Sequence, residues 1–262
     1  MSDLSLLFFL AALPVILILI YVYSKDKNKE PFSILIKFFL LGICSCFLVL
    51  YISKKLEPFL PFMKYDKNST FINIFLYSFL GVALIEEFSK WIMIYWYGYN
   101  NKYFDEIFDI IVYSVFTSLG FAFFENIGYI LTNKSIGVAI TRGLLAIPGH
   151  ACFGLFMGYY LCLAKVCSIN NKNKLSKKYL LLSVIIPTLL HGIYDFCLMS
   201  NYFVFVLIFF IFVSILFSIS IKKINEISSS NQNLFNKKVF CPNCGAEVNG
   251  QFCPRCGMRL NP

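Results

Sequence analysis

The chain has 262 residues, of which 58% are hydrophobic and only 14% charged, and its mean hydropathy is +0.71. Soluble domains have an apolar share of about 45–50%, so this composition excludes a soluble globule and makes the bilayer the solvent. The net charge of +9 comes from lysines in short stretches between apolar runs, where they act as topology signals, and nucleic-acid binding is not expected.

A helix needs about 20 apolar residues to cross the hydrocarbon core. Seven runs meet this, at about 4–23, 32–53, 71–97, 104–131, 136–164, 179–199 and 202–221. The predicted fold is therefore an all-α polytopic membrane protein. No Lys or Arg precedes the first run and no small-residue cleavage site follows it, so it reads as a retained span rather than a signal peptide. The fifth carries Arg142 and Pro148-Gly149, and is expected to kink or break because proline removes a backbone donor. Only Ser200-Asn201 separates the sixth from the seventh, which leaves six or eight spans as alternatives. With the N-terminus outside, cytoplasmic loops hold Lys25, Lys27, Lys29, Lys102, Lys165, Lys172, Lys174, Lys177, Lys178, Lys222 and Lys223. Outer loops hold Lys54, Lys55, Lys64, Lys67 and Lys134, and the excess inside favours this orientation with a cytoplasmic C-terminus. Cys44, Cys46, Cys152, Cys162, Cys167 and Cys197 lie in or beside the spans and read as small buried hydrophobes.

An ionisable side chain at mid-bilayer costs at least about 2.5–3.5 kcal/mol, so each one in these runs needs a reason. In the third run, Lys90 stands four residues after Glu86 and three after Glu87, within reach of either on one helical face. One acid is left over. The fourth carries Asp109, then Phe121 and Glu125 one turn apart, with Asn126 next. The fifth has His150 directly after Pro148-Gly149, where a broken helix would let the imidazole enter a cavity. In the sixth, His191 and Asp195 are again i,i+4. These are the only two histidines in the chain. A lone member would read as a buried group paired with a neighbouring helix, but together they are expected to converge on one polar cavity opening outward. Gly154 and Gly158 form a small-xxx-small pattern that suits internal helix packing.

After a polar linker at about 224–238 come Cys241-Pro242-Asn243-Cys244 and Cys253-Pro254-Arg255-Cys256. Each pair sets two thiolates on a tight turn, and two such turns complete a tetrahedral zinc site. Redox dithiols or disulfides fit a reducing compartment less well. With four protein ligands the zinc is expected to be structural, in a ribbon at 239–262 that folds only with metal. The remainder, 1–223, is the transmembrane domain.

The intramembrane set supports hydrolysis in two ways. A glutamate can act as general base on water while histidines stabilise the oxyanion, or two histidines and a carboxylate can hold a catalytic zinc. There is no His-Glu-x-x-His, the usual zinc-protease pattern.

In order on successive spans, Glu86-Glu87-x-x-Lys90, Phe121-x-x-x-Glu125-Asn126 and His191-x-x-x-Asp195, with His150 before the last, resemble the PrsW family of bacterial intramembrane proteases, distant relatives of the CAAX prenyl protease and bacteriocin-immunity group. The resemblance covers about residues 1–221. It implies a plasma-membrane peptidase making the first, extracytoplasmic-side cut in a membrane-anchored anti-sigma factor during stress signalling, with Glu86, Glu87 and His191 essential. Glu125 stands where the CAAX group has histidine, and Asp195 where it has asparagine. The expected roles are Glu86 or Glu87 as base, Lys90 as orienting charge, His191 and His150 as oxyanion donors or metal ligands, and Glu125 and Asp195 as supporting groups or ligands. The zinc tail lies outside the resemblance; such tails usually dock a cytoplasmic protein. The rival classes are a transporter or sensor using intramembrane acids, against which no internal repeat is visible, and within enzymes a CAAX-like prenyl protease.

Overall fold

The structure, a computed structural model, describes residues 3–66, 69–101, 103–200, 202–230, 234, 239–240, 243–244, 247–248, 255–256 and 258. Among them, seven helical spans are long and apolar enough to cross a membrane. In chain order they are α1 (Asp3–Lys25), α2 (Phe32–Leu56), α3 (Phe71–Leu76) running on into α4 (Leu84–Tyr97), α5 (Asp109–Asn133), α6 (Ile136–Thr141) running on into α7 (Ile147–Ile169), α8 (Asn173–Met199) and α9 (Phe203–Ser229). Short connections make successive spans antiparallel. One end of the bundle therefore gathers the turns near residues 57–70, 134 and 200, and the other gathers those near 26–31, 98–108, 170–172 and 230.

α5 is the hub. Of its apolar window 78% is buried, against 22% for α1 and for α9, so α5 faces protein where the others face lipid with residues such as Ile20, Phe47 and Phe210. It packs between α2 and α7, and α7 in turn against α8. Gly154 and Gly158 permit the α5–α7 approach: a Cβ at Gly154 would stand 2.6 Å from Ser118 Oγ, and one at Gly158 2.7 Å from Ile111 Cα. The small-xxx-small pattern is thus spent on packing within the chain, as lipid offers no hydrophobic drive and close van der Waals contact must supply the adhesion.

Three boundaries differ from expectation. The fourth span begins at Asp109, not 104, because Asp109 Oδ2 accepts the N–H groups of Glu106 (2.6 Å) and Asp105 (3.1 Å) and ties the preceding segment into a turn. α8 starts at Asn173, before its apolar run, and α9 continues to Ser229, through residues assigned to the linker. Hydropathy reports solubility in lipid, whereas a helix is free to extend past the bilayer wherever its backbone stays bonded. Beyond α9, β1 (Val239–Phe240) and β2 (Glu247–Val248) pair antiparallel, Val239 opposite Val248. Of the four expected zinc ligands, Cys244 and Cys256 lie in turns, and Cys241 and Cys253 fall outside the described residues.

Candidate active site

Two short wide turns with i→i+5 bonding interrupt the helices that carry the site, Tyr77–Ala83 between α3 and α4 and Arg142–Ala146 between α6 and α7. Such a turn inserts a residue into the helix and rotates the rest of it by roughly 100°. Glu86 and Glu87 come after the first, His150 after the second. The expected break at Pro148-Gly149 thus takes the form of a wide turn just before it, with the Ile147 N–H bonded to Arg142 O. Pro148 then sits in the first turn of α7, where its missing donor costs little.

The seven expected residues converge. The Lys90 ammonium lies 2.6 Å from Glu87 Oε1, 3.9 Å from Glu86 Oε2 and 3.2 Å from His150 Nδ1, with the Phe121 ring 4.2 Å beneath it. An ammonium can only donate, so His150 Nδ1 accepts and its Nε2–H donates to Glu125 Oε2 at 3.2 Å. His191 Nδ1 is 2.9 Å from Glu87 Oε1, and its Nε2 is 3.3 Å from Asp195 Oδ2. Both partners of His191 are acceptors, so an imidazolium satisfies both contacts and a neutral ring only one. Phe153 stacks on His191 at 4.8 Å and presents an edge to His150, which fixes the planes of both imidazoles.

The adjacent glutamates separate here. Glu86 lines a cavity of about 530 Å³, together with Glu125, Arg142, His150, His191 and Asp195. Glu87 and Lys90 are wholly buried behind it and do not line it. The mouth, framed by Lys54, Glu57 and Met63, lies at the bundle end bearing the turns after α2 and α8. The expected set gave Arg142 no role, yet it donates to Glu125 Oε2 at 2.7 Å and to Asn126 Oδ1 at 3.2 Å, and stacks 3.7 Å over Tyr129. Its presence in an apolar run was the signal that could have found it. Asp109, by contrast, is not part of the cavity: it stands sixteen residues before Glu125 on α5, about 24 Å along the axis.

Four carboxylates (Glu86, Glu87, Glu125, Asp195) meet two permanent cations (Lys90, Arg142). The two uncompensated negative charges call for a divalent cation or two protons. Ligand atoms of Glu86, Glu87, His150 and His191 lie within 4.8 Å of one another, and Oε2 of both glutamates is buried without a hydrogen-bond partner. A buried set of two imidazoles and two carboxylates suits a zinc-type ion, although Lys90 competes for the same donors.

The profile described as PrsW family intramembrane metalloprotease matches residues 30–219. The chain belongs to the PrsW family. "Protease PrsW" of Clostridioides difficile (strain 630) is 35% identical over 233 residues, covering 87% of this chain and 94% of that protein. Those of Oceanobacillus iheyensis and Bacillus subtilis (strain 168) are 39% and 36% identical, covering 81% and 76% of this chain and 93% and 87% of theirs. Every site residue falls inside the PrsW match, and the cysteine tail falls outside it. Family membership and the membrane-spanning bundle make the chain an intramembrane peptidase, as the ordered motifs implied. No solved structure matches it.

Proposed function

We propose that this chain hydrolyses a peptide bond of a membrane-anchored protein within its polar cavity, with Glu86 as the general base. The observation that carries this reading is the split between neighbours: Glu86 lines the cavity, while Glu87 does not and is enclosed by Lys90 and His191.

Glu86 takes a proton from a water in the cavity as its oxygen attacks the scissile carbonyl, and the tetrahedral intermediate carries the resulting negative charge. Arg142, lining the same cavity, and His191, held between Glu87 and Asp195, supply positive charge to the oxyanion. The proton held by Glu86 then passes to the departing amine as the C–N bond breaks, so that one water is consumed. Glu87 and Lys90 position His191 and His150, and the Arg142–Glu125–His150 chain holds the second imidazole. A divalent ion, where bound, would be held by Glu86, Glu87, His150 and His191 and would polarise the carbonyl and lower the proton affinity of water.

The family resemblance favours an anti-sigma factor as substrate, cut first on the extracytoplasmic side, where the mouth lies in the orientation given by the lysine distribution. In that orientation the C-terminus is cytoplasmic. The tail at 239–262 holds a structural zinc through Cys241, Cys244, Cys253 and Cys256 and offers a docking module beyond the linker at 224–238 and the transmembrane domain at 1–223. The test is cleavage of a single-span reporter by protein reconstituted in liposomes. Glu86→Gln, Glu87→Gln and His191→Ala, each shown to be inserted and stable, should all lose activity; three variants as active as the parent would refute the site assignment.

A further inference from the structure

A second group of acids lies at the opposite end of the bundle from the cavity mouth. Asp26 and Glu30 come from the α1–α2 connection, Asp105 and Glu106 from the α4–α5 connection, and Asp109 from the start of α5. Their carboxylates form two overlapping triads that share Asp109: Asp26, Glu106 and Asp109, and Glu30, Asp105 and Asp109, with ligand atoms in each within 4.8 Å of one another. Asp26 and Asp109 are 1% exposed and Glu30 6%. One oxygen of each, Asp26 Oδ1, Glu30 Oε2 and Asp109 Oδ1, is buried with no hydrogen-bond partner.

Burying a carboxylate oxygen unpaired is costly, and gathering several multiplies the cost through like-charge repulsion. Hydrogen bonds relieve part of it, since the Glu30 N–H donates to Asp26 Oδ2 and the N–H groups of Asp105 and Glu106 donate to Asp109 Oδ2, but they leave these three oxygens unpartnered. Among the described residues no lysine or arginine comes within ion-pairing distance of Asp26, Glu30 or Asp109. The nearby ammonium groups bond elsewhere, Lys27 to Ser229 O, Lys29 to Asp26 O and Lys165 to Tyr99 O.

We propose that this end of the bundle binds one divalent cation of the hard, oxygen-seeking class (Mg²⁺, Ca²⁺ or Mn²⁺), held by Asp109 with the surrounding carboxylates of Asp26, Glu30, Asp105 and Glu106. The donors are all oxygen, which selects such ions over zinc or copper. The chain segments they join lie at the root of the C-terminal tail: Ser228 Oγ donates to Lys25 O, and Leu234 N donates to Asp105 O at 2.6 Å. The ion would brace the α1–α2 and α4–α5 connections where the tail departs. This site is separate from the cavity and does not depend on the catalytic reading.

The experiment uses the full-length protein in detergent, with Mn²⁺ binding monitored by the electron paramagnetic resonance of free Mn²⁺ and thermal unfolding measured with and without Ca²⁺ or Mg²⁺. The parent should bind Mn²⁺ saturably and unfold at a higher temperature with Ca²⁺ or Mg²⁺ present. Asp109→Asn, which keeps an oxygen for the turn, and the double variant Asp26→Asn/Glu30→Gln should each weaken binding at least tenfold. In metal-free buffer the double variant should also unfold at a higher temperature than the parent, a gain that a merely structural role for these carboxylates would not produce. Glu86→Gln/Glu87→Gln should retain the site, and thiolates of the tail are too soft to imitate it. Absence of saturable binding in the parent, binding indifferent to the Asp26, Glu30 and Asp109 changes, or binding abolished by Glu86→Gln/Glu87→Gln would each overturn the proposal. Should Asp109→Asn fail to fold, the double variant decides.

Discussion

The two carboxylate clusters of this chain sit at different depths in one bundle and are handled in opposite ways. In the cavity, Lys90 and Arg142 each lie within 2.7 Å of an acid, and two imidazoles bridge the remaining groups. At the far end, no lysine or arginine among the described residues forms an ion pair with the carboxylate of Asp26, Glu30 or Asp109. A buried charge must be paired or coordinated. The first cluster therefore carries cations for half of its acids, with Glu86 lining the cavity, and the second carries none for Asp26, Glu30 or Asp109 among the described residues. The difference teaches that acid content alone does not set the character of a buried cluster; the placement of the cations does.

Chemistry offers the largest test of this contrast. Glu86→Gln should lower reporter cleavage by about 10²–10⁴-fold, the usual contribution of a general base, with insertion and yield unchanged; turnover within tenfold of the parent would remove Glu86 from the role. Stability comes next, because the two clusters should respond with opposite signs. Glu87→Gln leaves the Lys90 ammonium buried without its closest counter-charge, and loss of one member of a buried pair costs about 3–5 kcal/mol, so the unfolding temperature should fall. Asp26→Asn removes a like charge from an uncompensated set, and in metal-free buffer the unfolding temperature should rise. Two shifts of the same sign would erase the distinction between the clusters.

Arg142→Lys probes the cavity more finely. The charge is kept, but the fork that bonds both Glu125 and Asn126 and stacks on Tyr129 is lost, so cleavage should drop about tenfold, read as kcat in a detergent-solubilised assay. The smallest effect is expected outside both clusters. Lys222 and Glu226 form an exposed pair at 3.9 Å on α9, and Lys222→Ala should change stability by less than about 0.5 kcal/mol. A larger loss would mean that the end of α9 is held more firmly than its exposure implies.

Much of the cavity was legible before folding because ionisable residues are rare in apolar runs and i,i+3 or i,i+4 spacing places partners on one face. The pairing of His191 with Asp195, and of Lys90 with one or other of Glu86 and Glu87, comes from that geometry, and the structure selects Glu87. Arg142 was visible as a charge in a span but not as a partner of Glu125, since seventeen residues and a wide turn separate them. The second cluster was illegible for another reason. Asp26, Glu30, Asp105 and Glu106 lie in polar connections where acids are unremarkable, and Asp109 was expected to lie within a span that in fact begins with it. Their meeting depends on two connections packing at one end of the bundle, which hydropathy cannot report.

The sequence by itself determined the solvent, the seven spans, the family and the identity of the acids and histidines that gather at the cavity, because hydrophobic length and short-range helical spacing are local properties. Only the tertiary structure decided which of the two adjacent glutamates meets water, where Arg142 reaches, and that five carboxylates from three stretches of chain share one pocket of charge. Those outcomes depend on how the helices are rotated and which ends they bring together, and rotation is set by packing across the bundle rather than by any single run of residues.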